Sequence, residues 1–255
     1  MLLLKGKKIL IVGMMSERSI AYGIAESMHK EGADLVFSCL ERFVPRVTEI
    51  ASQWGPVRVF PCDVSIDEDI TRLGQWVAEQ EHGLDGLVHS VAFAPRDHLQ
   101  GRMTDHISKE GFLQSMDISV YSFIALAKTF EPMMREYGSV MALSYIGADR
   151  AVPNYNAMGV AKAALESSVR YLARDFGARG IRVNAISAGP VRTASAAGIK
   201  GMSAMLQHVA ERSPISKPVT TEQIGNVATF LTSYLASAVT GEVIYVDNGY
   251  HIVAM

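Results

Sequence analysis

Seven short, apolar, β-rich runs recur along the chain, at residues 8–12, 34–38, 57–61, 86–90, 139–144, 181–186 and 242–246, with longer helical segments between them. Most of these runs are continuously apolar. A strand with one face in water needs a polar residue at every second position, so runs without alternation call for cover on both faces. Parallel strands joined by right-handed helical crossovers supply that cover. The pattern predicts an α/β fold, a Rossmann-type doubly wound sheet of about seven parallel strands with helices on both faces. Helices are expected over 19–31, 67–80, 119–136, 155–176 and 221–234, several opened by a Ser, Thr or Asp cap. The longest stretch without a clear element is 187–200.

At 255 residues and 49% hydrophobic content the chain can close one large core, and no repeat, low-complexity segment or linker divides it, so residues 1–255 read as one domain. A net charge of −2 gives no broad basic field, which argues against nucleic acid as a partner. The opening Met1-Leu2-Leu3-Leu4-Lys5-Gly6-Lys7-Lys8 has its charges after the leucines, the reverse of a secretory signal, and no apolar run reaches membrane-spanning length. Cys39 and Cys62 have neither metal-ligand spacing nor a disulfide framework, and both read as free buried thiols at apolar strand ends. The expectation is a cytoplasmic protein with no membrane partner and no metal.

Three strand ends carry chemistry. The first run leads into Gly13-Met14-Met15-Ser16-Glu17-Arg18-Ser19-Ile20-Ala21-Tyr22-Gly23, which is not the plain G-x-G-x-x-G fingerprint. Its parts can still cradle a phosphate, with Gly13 for a tight turn, Ser19 to cap a helix facing a pyrophosphate, and Gly23 for close helix-to-strand packing. The third run ends at Asp63, where a carboxylate could accept from an adenine amino group, and the fourth at His89, which reads as a packed core histidine. Further on, Tyr155 and Lys162 stand seven apart, two turns along one helical face. A cation at that spacing favours a partly ionised phenol next to a developing oxyanion and can hold a cofactor ribose.

Taken together these residues resemble the short-chain dehydrogenase/reductase superfamily and, within it, the bacterial NADH-dependent enoyl-acyl carrier protein reductases. The resemblance runs essentially end to end. It is carried by Ser19-Ile20-Ala21-Tyr22-Gly23, Cys62-Asp63-Val64, His89-Ser90 with Phe93-Ala94-Pro95, Leu143-Ser144-Tyr145-Ile146-Gly147-Ala148, the Tyr155 to Lys162 segment, the run from Val183 to Pro190 with Thr193, and Gly241-Glu242-Val243. Carbonyl-reducing relatives typically place Tyr and Lys four apart. The spacing of seven, with Tyr145 after Ser144, separates this chain from them.

The resemblance implies reduction of the trans-2 double bond of an enoyl thioester, presented on acyl carrier protein, with NADH ahead of NADPH as cofactor and a homotetramer as the assembly. It assigns Tyr145, Tyr155 and Lys162 to catalysis. Cofactor binding falls to Gly13, Ser19, Ile20, Asp63, Val64, Ser90, Val91, Lys162, Val191 and Thr193, and substrate binding to Ala92, Phe93, Tyr145, Tyr155, Ala196, Ile199 and Met202. Tyr145 has a plainer reading as a packing aromatic. Residues 193–206, small, apolar and methionine-bearing with internal glycines, read as a flexible substrate lid, or alternatively as a surface helix whose methionines are core. Lys200, the only base between Arg192 and Arg212, is the candidate contact for an acidic carrier. The competing functions are a carbonyl or alcohol dehydrogenase of the same fold and a non-catalytic dinucleotide-binding regulator.

Overall fold

The computed structural model describes residues 2–193 and 202–253, the side chain of Met202 apart. The elements run β1 (Lys8–Val12), α1 (Ile20–Lys30), β2 (Asp34–Cys39), α2 (Val44–Ala51), β3 (Val59–Pro61), α3 (Asp67–Glu81), β4 (Leu84–His89), α4 (Met103–His106), α5 (Lys109–Met116), α6 (Ser122–Phe130), β5 (Met134–Ser144), α7 (Asn156–Phe176), β6 (Arg182–Ala188), α8 (Met202–Arg212), α9 (Thr221–Thr232) and β7 (Val243–Val246). All neighbouring strands pair in parallel, in the order β3-β2-β1-β4-β5-β6-β7, as the continuous apolar runs predict. The order reverses between β1 and β4, and in an open α/β sheet the crevice beyond such a switch point is where ligands bind.

Strand pleating sends successive side chains to opposite cores. Leu10 and Val12 join α3, α6 and α7 on one face, and Ile9 and Ile11 join α1, α2 and α9 on the other. Cys39 and Cys62 are free, buried and divided between these two cores, so the sheet stands between their side chains. Gly23 packs differently from expectation. A Cβ there would lie 2.4 Å from the Thr221 carbonyl oxygen, and one on Gly225 would lie 2.2 Å from that of Gly23, so the glycines bring α1 against α9 rather than against a strand.

The helix expected over 119–136 is three pieces: α5, a π-turn over Asp117–Tyr121, and α6. It starts earlier because Ser108 caps α5, accepting from the Gly111 N–H, and it ends earlier because Pro132 follows Phe130. β5 then begins at Met134. At the amino edge of the sheet, Glu81 is buried at the end of α3 and pairs with Lys8 Nζ at 2.6 Å and Arg58 Nη1 at 3.1 Å, while Arg58 also pairs with Asp34. No helix among the described residues is long and apolar enough to cross a membrane.

Candidate active site

The turns that follow β1, β4, β5 and β6 come together on the carboxyl edge of the sheet, because Val12 pairs with His89, His89 with Ala142, and Ser144 with Ser187. At the switch point, Gly13 has φ +102° and its amide donates to Ser38 O at 2.8 Å. A Cβ on Gly13 would stand 2.3 Å from Ser90 O and 2.8 Å from Val91 Cγ2, so only glycine fits both the turn and the approach of β4. Ser19 caps α1, accepting from Tyr22 N at 3.2 Å and donating to Ser16 O at 2.7 Å. The first turn of α1 carries no carboxylate, and Ile20 opens it half-buried. A helix N-terminus of this kind presents amide donors and positive dipole to an anion.

Beyond β3, Asp63 is half-buried and its Oδ1 accepts from the Ser65 N–H at 3.0 Å and from the Ser65 hydroxyl at 2.7 Å. Val64 packs into the core. Beyond β4, Ser90 N donates to Val12 O at 2.9 Å, Ala92 is exposed and Phe93 is 41% exposed. Ser119, on the π-turn, holds the Phe93 backbone from both sides: its hydroxyl accepts from the N–H at 3.0 Å and donates to the carbonyl at 3.1 Å. His89 is wholly buried, with Nε2 2.8 Å from Ser122 Oγ. Burial, reinforced by the charge of Lys162, pushes it down to about 3, so it is a neutral core histidine, as expected. Beyond β6, Val191 and Thr193 are half-buried, and Thr193 N donates to Val191 O at 2.8 Å.

The aromatic pair stands between β5 and α7. The rings of Tyr145 and Tyr155 meet edge to face with centroids 4.8 Å apart, and the Tyr145 hydroxyl donates to Met205 Sδ at 3.4 Å. Burial raises both phenols, Tyr145 to about 12 and Tyr155 further, so both are proton donors at neutral pH. Lys162 is 5% exposed and donates to Leu143 O at 2.6 Å. No carboxylate among the described residues lies within ion-pair distance of it. Burial pulls it down to about 8, partly countered by Glu166 one turn on, which itself accepts from Ser144 Oγ at 2.5 Å. An ammonium has three donors, and a buried one that spends a single bond on a carbonyl suits a ligand's vicinal hydroxyls. That ammonium, the carboxylate-free turn of α1 and the preset Asp63 fit a dinucleotide's ribose, pyrophosphate and adenine in turn.

One expectation needs correction. Tyr155 is the N-cap of α7, with φ −107° and ψ −29°, so the helix expected from residue 155 begins one residue later, at Asn156. Of the substrate residues expected, Ala196 and Ile199 lie outside the described residues, as does Lys200, and only the backbone of Met202 is described. The end of the expected lid, from Met202 on, is already helical in α8.

Sequence reasoning gave Gly147 no role. A Cβ there would stand 2.4 Å from Tyr155 Cδ1 and 3.3 Å from Tyr145 Cδ1, so the bare backbone is the seat of the Tyr155 ring. Gly147→Ala is expected to displace that ring. Overpacking of this kind costs about 1–3 kcal/mol, and turnover should fall roughly tenfold while NADH affinity, measured by fluorescence, stays at the wild-type value. Unchanged turnover would show that the ring has another place to sit.

A doubly wound parallel sheet with a glycine turn at its switch point and a buried Tyr–Lys pair at its carboxyl edge defines a dinucleotide-dependent reductase of the short-chain dehydrogenase/reductase class. Within that class the chain belongs to the enoyl-(acyl carrier protein) reductase family, whose profile matches residues 13–251. It is 51% identical to the enoyl-[acyl-carrier-protein] reductase [NADH] of Aquifex aeolicus, over 99% of this chain and 94% of the relative. The crystal structure of the Bacillus cereus enoyl-acyl carrier protein reductase with NADP+ and indole naphthyridinone superposes with a TM-score of 0.97 at 45% identity, covering 100% of both chains. The Anaplasma phagocytophilum reductase in complex with NAD gives 0.95 at 44% identity, over 99% of this chain and 97% of that one.

Proposed function

We propose that this chain is an NADH-dependent enoyl-acyl carrier protein reductase that saturates the trans-2 double bond of enoyl thioesters in fatty-acid elongation. The observation that carries this is the buried Tyr155 phenol, edge-on to Tyr145, with the Lys162 ammonium at the end of the same strand. When bound, NADH supplies hydride to the β-carbon of the substrate. Charge then moves through the double bond to the thioester oxygen, where Tyr155 donates its hydroxyl proton in a hydrogen bond and Lys162 adds fixed positive potential. A proton taken from solvent water at the α-carbon would complete the reduction. Tyr145 borders the enoyl group as a second phenol. The cofactor rests on Gly13, Ser19, Ile20, Asp63, Val64, Ser90, Val91, Val191 and Thr193, with Lys162 on the ribose. The acyl chain runs past Ala92 and Phe93 towards Ala196, Ile199 and Met202, with residues 193–206 acting as a lid in an otherwise single-domain chain.

A homotetramer is the proposed assembly. Phe230, Tyr234 and Leu235 are exposed at the end of α9, and apolar side chains grouped there suit burial against another copy. Sedimentation velocity reads the assembly directly. Two free buried cysteines accord with the cytoplasm. The reaction itself is tested by following loss of NADH absorbance with a short enoyl-CoA against a panel of ketones and alcohols. Oxidation of NADH by ketones alone would replace this proposal with a carbonyl reductase. Asp63→Ala is expected to raise KM for NADH about tenfold or more, since a hydrogen bond to a charged group contributes about 1.5–3 kcal/mol, with KM for the enoyl substrate nearly unchanged. Equal rises in both constants would remove Asp63 from the adenine site.

A further inference from the structure

Tyr155 stands between two asparagines whose backbones both have positive φ, Asn154 at +62° and Asn156 at +32°. Asparagine enters that region more readily than other residues with a side chain, and here the two reversals bracket Tyr155 at the N-cap of α7. Both side-chain amides reach the same place. Asn154 Oδ1 accepts from Gly101 N at 3.1 Å, and Asn156 Nδ2 donates to Gln100 O and to Gly101 O, each at 3.3 Å. Residues 100 and 101 end the segment that leaves β4 through Ala92 and Phe93. That segment is held at its start by Ser119 on the Phe93 backbone, and midway by buried His98, whose Nε2 accepts from Ser108 N at 3.2 Å.

We propose that Asn154 and Asn156 are positioning residues, a two-point clamp that holds the Tyr155 phenol in register with the 93–101 segment forming the opposite wall of the acyl site. This rests on the enoyl-reductase reading for its kinetic consequences alone. The two amides play different parts: Asn154 Oδ1 accepts from an N–H, and Asn156 Nδ2 donates to two carbonyls. Aspartate keeps a left-handed backbone accessible and can accept but not donate, so Asn156→Asp places a carboxylate against two carbonyl oxygens. Glycine at 154 keeps the backbone and removes the acceptor of the Gly101 N–H.

The experiment compares Asn154→Gly, Asn156→Asp and Asn156→Gly in the full-length protein. Asn156→Asp and Asn156→Gly are expected to lower kcat with enoyl-CoA about tenfold, the factor that one net hydrogen bond represents, with KM for NADH unchanged. Asn154→Gly, which keeps the left-handed backbone and loses the acceptor, should also lower kcat with KM for NADH unchanged. Glycine at 156 relieves backbone strain while deleting the amide, so a fully active Asn156→Gly would overturn the clamp and leave only a conformational role. Wild-type turnover in Asn154→Gly would take Asn154 out of the clamp. Amide hydrogen exchange in 96–102, measured without substrate, is the second readout: faster exchange at 100 and 101 in Asn156→Gly supports the clamp and wild-type exchange overturns it. A wild-type protein inert towards enoyl-CoA would sink the reaction while leaving the exchange result to decide the clamp.

Discussion

Lys162→Ala is expected to lose cofactor affinity and turnover together, whereas Tyr155→Phe should bind NADH as the wild type does and lose turnover alone. The Tyr155 hydroxyl is a single donor to a developing oxyanion, and loss of one such donor costs about 2.7–4 kcal/mol of barrier, or roughly 10²–10³-fold in rate. The lysine acts on two things at once, because its ammonium is placed to hold the ribose and to supply positive potential beside the phenol. Normal NADH affinity in Lys162→Ala would take the lysine off the ribose.

The pH dependence gives a second signature of that lysine. Burial lowers it from 10.5 to about 8, so the charged form that binds the ribose is lost as pH rises through about 8, and NADH affinity should weaken there. Its contribution to stability has the opposite sign. Between about 8 and 10.5 the unfolded lysine holds a proton that the folded one has released, so this group makes folding more favourable as pH rises through that window. In Lys162→Met both slopes should vanish. Fluorescence titrations and melting curves from pH 7 to 10 measure them, and an unchanged affinity profile in the methionine variant would assign the titration to another group.

The parallel sheet was legible because burial on both faces leaves a mark in every strand: an apolar run without alternation. Helices that cover one face leave a weaker mark: α2, α4, α5 and α8 are absent from the expected set, while α1, α3, α7 and α9 belong to it although each holds a glycine. α2 carries Pro45 in its first turn, where the missing N–H has no helical partner. α5 carries Gly111, whose missing Cβ leaves room for the His98 ring. α8 begins inside the stretch 193–206, which reads as a lid or alternatively as a surface helix, and from Met202 on it is helical.

The site divides along the same line. Tyr155, Lys162, Gly13 and Asp63 could be read from sequence because each is a reactive or conformationally special residue at a strand end or a fixed spacing. Ser119, Asn154 and Asn156 could not, since their contacts join segments distant in the chain, and Gly147 could not, since no spacing rule says that the nearby Tyr155 ring folds back over it. Asn156 meets Gln100 across 56 residues and Ser119 meets Phe93 across 26. No local periodicity encodes such a meeting. The positive φ on both sides of Tyr155 had a faint signal in the Asn-Tyr-Asn run, which has little propensity for the first turn of a helix.

The second large effect is expected at the other edge of the sheet and on stability alone. The Glu81 side chain is 2% exposed, and it ends α3, where a carboxylate meets the negative end of the helix dipole. What makes that position tenable is the pair of cations that converge on it, Lys8 at 2.6 Å and Arg58 at 3.1 Å. Removing the carboxylate takes a buried partner from both, leaving Lys8 Nζ its bond to the Glu81 carbonyl and Arg58 its pair with Asp34, and breaking a buried pair from one side typically costs about 3–5 kcal/mol. The lower end applies, because Arg58 keeps Asp34, both cations are partly exposed, and Glu81 Oε1 and Arg58 Nε have no partner among the described residues. At about 2–4 °C per kcal/mol for a chain of this size, Glu81→Ala should melt roughly 6–12 °C below wild type. Adding Lys8→Met to Glu81→Leu removes one stranded charge and should recover part of the loss. Turnover and both Michaelis constants at 25 °C should match wild type, because the network sits at the amino edge, a full strand length from Tyr155. A melting point within a degree of wild type would show that the ion network contributes nothing net, and altered turnover in the folded variant would show that the two edges of the sheet are coupled.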